Sequence, residues 1–125
     1  MTAFKLTSEE QKTVNNAMIF LSRMALSGSF AMNVALNLIE MEDKVAKIDK
    51  QVMAVAKKLG MEKDGRLVFT NPDDSQKLND EAAIFLKDQK VVTCNLEVLS
   101  KKDFSDDIKI PGELLKSLLK LKLIK

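Results

Sequence analysis

Along the first half of the chain the apolar positions recur at three- and four-residue steps, the spacing that gathers side chains on one face of an α-helix. Val14, Ala17, Met18, Leu21, Met24 and Ala25 form one such stripe, which runs to Leu26. Thr7-Ser8-Glu9-Glu10 precedes it as a capping box, in which a threonine hydroxyl and a glutamate carboxylate satisfy free backbone amides, so a helix is predicted to begin near Ser8. Ser27-Gly28-Ser29 interrupts the pattern. A longer stripe follows through Phe30, Val34, Leu38, Met41, Val45, Ile48, Val52, Val55 and Leu59. Gly60 stands where a left-handed residue ends a helix, and Lys57 and Lys58 complement the negative end of its dipole. Ala31, Ala35, Ala46, Ala54 and Ala56 are small enough to let another helix approach. With so short a link between them, the two helices are predicted to form an antiparallel hairpin over residues 8–60.

The period changes after Gly60. Asp64-Gly65 is a turn signal, and Arg66-Leu67-Val68-Phe69-Thr70 reads as a short strand closed by Asn71-Pro72. Asp73, Asp74 or Ser75 then caps a third helix with Leu78, Ala82, Phe85 and Leu86 on its apolar face and Lys87 and Lys90 near its end. Val92, Cys94, Leu96 and Val98 alternate with polar residues, which predicts a half-buried strand with Cys94 on its inner side. Residues 101–107 read as a polar loop, Ile108-Lys109-Ile110 as a further short strand, and Pro111 as the start of a last helix bearing Leu114, Leu115, Leu118 and Leu119. The predicted class is α+β: a long N-terminal helical hairpin, a small antiparallel sheet and two further helices. No repeat or low-complexity linker divides the 125 residues, so one domain is expected, with residues 61–125 as a small α+β subregion.

Composition narrows the chemistry more than the fold. There is no histidine and no tyrosine, which removes the commonest general acid–base residue, and no enzymatic activity is expected. One cysteine and no histidine cannot form a disulfide or a Cys/His zinc site within one chain; the expectation is no metal, no cofactor and a reducing, cytoplasmic setting. Met1 to Leu6 has no basic-then-apolar signal pattern, and no apolar run is long enough for a membrane span. The 20 basic residues are nearly balanced by 18 acids, so net charge alone does not point to nucleic acid.

Local clusters have plain readings. Glu40 and Asp43 share a helix face as a metal-binding pair would, but Lys44 and Lys47 follow each at four residues and predict solvated ion pairs. Asp73-Asp74-Ser75 with Asp80 lacks calcium-loop spacing and is read as a cap. Cys94 has no neighbouring histidine to activate it and is read as a buried strand residue. The four glycines stand singly, so no phosphate-binding loop is present. Met18, Met24 and Met41 fall on the helical stripes, where core filling is the expected use. The run from Glu113 to Lys125 sets Lys116, Lys120, Lys122 and Lys125 against leucines; its leucines are expected in the core and its lysines in water, with an anionic surface as the competing use.

Asp64-Gly65-Arg66, then Phe85-Leu86, then Val91 to Val98, Ile110 and the closing leucines resemble a group of small tailed-bacteriophage proteins in which two long helices precede an Asp-x-Gly turn and a compact α+β end. The resemblance implies a virion or phage accessory protein; in such proteins an acidic residue within the third helix corresponds to Glu81. It brings no catalytic residue. The leading expectation is therefore an interaction protein that self-associates or binds another protein through Phe30, Val34, Leu38, Met41, Val45, Ile48, Val52 and Val55, because so long a stripe exceeds what a small sheet can cover. Two others compete: a nucleic-acid or anionic-surface binder using the C-terminal lysines, and an inhibitor of a host enzyme acting through the same helices.

Overall fold

The capping box forms as its residues require. In the computed structural model, which describes residues 1–87 and 91–125, the Thr7 hydroxyl accepts from the Glu10 amide at 3.2 Å. The Glu10 carboxylate in turn accepts from the Thr7 amide at 2.9 Å. It starts α1 (Ser8–Ser22), preceded by β1 (Thr2–Leu6). A link through residues 23–27 leads to the long α2 (Gly28–Lys58), whose first residue takes the positive φ of 61° that glycine tolerates without penalty. There follow β2 (Glu62–Lys63), β3 (Arg66–Leu67), α3 (Asp74–Lys87), β4 (Val92–Leu96), a short 3-10 turn (Lys101–Asp103) and α4 (Gly112–Lys120). The α+β class is as the periodicities predict. The third helix's predicted end at Lys90 lies outside the described residues, as do the side chains of Phe85, Leu86 and Lys87.

The chain divides into two compact units, Met1–Val45 with Val91–Lys125, and Ala46–Lys90. The change of character read at Gly60 is thus not where the units part; they part within α2, because β4 and the C-terminal segment build on residues 1–45. In the first unit β1 and β4 pair antiparallel, with Phe4 opposite Cys94 and Thr2 opposite Leu96. β1 has no counterpart in the sequence reading, although Phe4 and Leu6 alternate with Ala3 and Lys5; five residues beside a strong helix signal gave too little pattern. The core joins Leu6, Val14, Met18 and Leu21 to Val34, Met41, Cys94, Leu96, Leu99, Leu118 and Leu123. The helix packed most closely on α1 is α4, whose Leu118 is fully buried. α1 stops short of the predicted Leu26, and Met24 and Leu26 pack against the core from the link instead.

Two helices end alike. After α2, Gly60 has φ of 72°, its amide donates to the Lys57 carbonyl, and the Met61 amide donates to Ala56 at 2.8 Å. After α4, Lys122 has φ of 62°, its amide donates to Leu119, and the Leu123 amide donates to Leu118. Both are Schellman closures with an apolar pair across them, Ala56 with Met61 and Leu118 with Leu123, all four buried. The second closure folds the C-terminal residues back on the core, where Leu99 and Ile124 form a parallel bridge. Ile108 and Ile110 are not a strand; they pack against the core from a loop, an arrangement that gives the same short alternation as a strand.

In the second unit, β2 and β3 form a tight hairpin around Asp64 and Gly65, both at positive φ. The strand predicted over 66–70 is only two residues long, and Leu67, Val68 and Phe69 are exposed, because the hairpin has no wider sheet to extend. Ala56, Met61 and Leu78 make a small core here, with Val52, Met53 and Val55 against it.

Candidate functional site

The eight residues read from sequence as a partner surface are placed largely inside the chain. Phe30, Val34 and Met41 belong to the first unit's core, Leu38 packs against it, and the Phe30 ring lies 5.1 Å from that of Phe104. Ile48 is buried, Val45 is half-buried, and Val52 and Val55 lean on the second unit's core. The first half of the stripe shares one core with residues of α1, β4, α4 and the returning C-terminus, and part of its second half packs with the core around Leu78.

The opposite face of α2 bears what the sequence reading passed over. Met32 is 62% exposed and Ile39 67%, with the exposed Ala35 between them. Their three- and four-residue spacing is itself a helical stripe, hidden because the stronger one absorbed the signal. Beside this ridge, Met24, Leu26, Ala31, Ala35, Leu38 and Ile39 line an apolar groove of about 300 Å³ that reaches Glu42 at one end. The ridge and groove lie wholly within the first unit.

Between these faces, α2 caps the sheet. Asn37 is fully buried; its Nδ2 donates to the Glu97 carbonyl at 2.9 Å and its Oδ1 accepts from the Glu97 amide at 2.6 Å, so the side-chain amide pairs with the chain as a neighbouring strand would. One turn on, Glu40 Oε2 accepts from the Asn95 amide at 2.7 Å. This corrects the reading of Glu40 as a solvated partner of Lys44: its carboxylate closes an open strand edge. Residue 95 lies in β4 and residue 97 just beyond its end, at alternate positions along the chain, so the two α2 side chains serve the same side of this segment.

Asp74 also departs from its expected role. Its Oδ2 reaches back to accept from the amides of Thr70 at 2.8 Å and Asn71 at 2.9 Å and from the Thr70 hydroxyl, which fixes the preceding turn instead of the helix amides ahead. Those hydrogen bonds, that from Asn71 foremost, hold its carboxyl below the ordinary range. A carboxyl so lowered stabilises the fold above its ordinary value near 3.9, and the contribution is lost as pH falls through the lower folded value. The Thr70 and Asn71 amide proton shifts, followed into strong acid, are expected to move together with the Asp74 carboxyl, and the Asp74→Asn variant is expected to abolish that transition.

Cys94 is buried, which pushes its thiol up. Asp80 accepts from the Gln76 side chain at 2.8 Å. Among the described residues no three His, Cys, Asp or Glu side chains come together as a metal site. Lys116, Lys120, Lys122 and Lys125 are exposed, while Leu118, Leu123 and Ile124 are buried beneath them. No described helix is long and apolar enough to cross a membrane. No known protein family, curated protein or solved structure matches the chain.

Proposed function

We propose that the chain is a non-enzymatic interaction protein, of the accessory kind found among small phage proteins, and that it binds protein through the outward ridge of α2. Support comes from one observation: Met32 and Ile39, two of the most exposed large apolar side chains, stand one above the other beside an apolar groove. Water gains nothing from such a ridge, and burying each side chain contributes about 1.5–3 kcal/mol to an association. The groove follows a helix axis and ends at Glu42, so it suits an amphipathic helix with apolar residues at three- and four-residue steps and a basic residue at one end. Such binding would serve an accessory or an inhibitory protein equally, since both act by occupying a partner's surface.

The test is a photo-crosslinking residue at position 39 in the full chain, expressed in the producing cell, with position 101 as an exposed control. A discrete adduct at 39, absent at 101 and lost on Met32→Asp, is expected; its added mass tells a second copy from another protein. No adduct at 39, or equal adducts at both positions, would overturn the reading.

A further inference from the structure

The two edges of the β1–β4 sheet are treated differently. On the β4 side α2 caps the outward edge at Asn95 and at Glu97 just beyond the strand, whose amides go to Glu40 and Asn37. In an antiparallel ladder the backbone groups of successive residues point to opposite sides. Hence Cys94 and Leu96 face β1, their partners Phe4 and Thr2 face β4, and the amides and carbonyls of Ala3 and Lys5 point away from the sheet. Among the described residues, no hydrogen bond joins the backbone of Ala3 or Lys5 to any group on that side. Both residues are exposed.

We infer that this free edge is an interface between two copies of the chain, β1 pairing with β1 of a second molecule in antiparallel register about Phe4. The edge is self-complementary in that register. A two-fold axis through Phe4 sets Ala3 opposite Lys5 of the other copy, and each pair exchanges both backbone hydrogen bonds. Phe4 then meets Phe4 in the closer, non-hydrogen-bonded position, on the side where it is already half-buried against the core. Thr2 and Leu6 lie opposite at the ends. The two Lys5 ammoniums do not face each other: strand rise and spacing place their Cα atoms about 8 Å apart, near the screening length of physiological salt. Two separate two-stranded ribbons become one four-stranded sheet, the size at which sheets hold together more readily. This contact does not depend on the α2 ridge, and its test leaves that ridge untouched.

Proline at Lys5 removes only an outward amide, so it spares the β1–β4 ladder while deleting hydrogen bonds to a second copy. Light scattering on the purified full chain is expected to give twice 14.0 kDa for the natural protein and for Lys5→Thr, and 14.0 kDa for a folded Lys5→Pro. Amide exchange in the natural protein supplies a reading that needs no variant: the Ala3 and Lys5 amides are expected to become protected as concentration rises, in step with the mass. A mass of 14.0 kDa at every concentration would overturn the proposal. So would a dimer in which these two amides exchange freely, whatever the proline variant does, and that dimer would belong to another face.

Discussion

Val34→Asp is expected to unfold the first unit, whereas Ile39→Asp, five residues along the same helix, is expected to leave it folded. Val34 is 1% exposed among Met18, Leu21 and the β4 side chains of the core, so an aspartate there must either hold a charge in apolar surroundings or drag the helix away from its cover. A loss of more than about 4 kcal/mol follows from burying an unpaired charge together with the lost apolar contact. Ile39 is 67% exposed, and the same substitution should change stability by no more than about 0.5 kcal/mol. Urea unfolding followed by helix dichroism measures both. Equal losses at the two positions would mean that the assignment of core and outward faces is reversed or blurred.

Asn37→Leu is expected to be the most damaging change that keeps side-chain size and adds apolarity. Leucine fills a similar space, yet it leaves the Glu97 amide and carbonyl without the partner that now meets both. Stranding a donor and an acceptor costs about 2–4 kcal/mol. Asn37→Asp distinguishes this from a packing defect, because a carboxylate can accept from the Glu97 amide but presents no donor to its carbonyl. Protonation restores that donor, so the aspartate variant should carry a raised folded pKa and regain stability as pH falls. Its stabilising contribution is complete below the unfolded value near 3.9 and is lost as pH rises through the folded one. A leucine variant as stable as the natural protein would remove the edge-capping role of α2.

The helices were legible because their signals were local and redundant. Thr7 and Glu10 cap each other, Gly60 ends α2, and the stripe from Phe30 supplies many consistent positions; all three features stand in the structure as read. The inward placement of Cys94 on an alternating strand was legible for the same reason. What could not be read was which element covers which. β1 declares itself only once β4 is beside it, and the roles of Asn37 and Glu40 depend on backbone groups 60 and 55 residues away. A short alternation such as Ile108–Ile110 is satisfied equally by a strand or by a loop with two anchors. Sequence alone points to the stronger stripe of α2 as the partner surface, because it shows apolar content but not the area available to cover it. The weaker stripe of Met32, Ala35 and Ile39 is the one left in water.

Whether α2 turns one face to its own core and the other to a protein partner can be read from thiol reactivity along the helix. Cys94 is the sole cysteine and is buried, so single cysteines placed at 32, 34, 35, 39 and 41 stand out against a quiet background. In purified protein, positions 32, 35 and 39 are expected to react at the rate of a free thiol, with 34 and 41 inert until the chain is denatured. In the producing cell the first three are expected to become protected while the protein stays folded. Equal reactivity of the outward positions in both settings would mean that no partner covers that face, and ready reaction at 34 and 41 in the native protein would mean that the inner face is not buried.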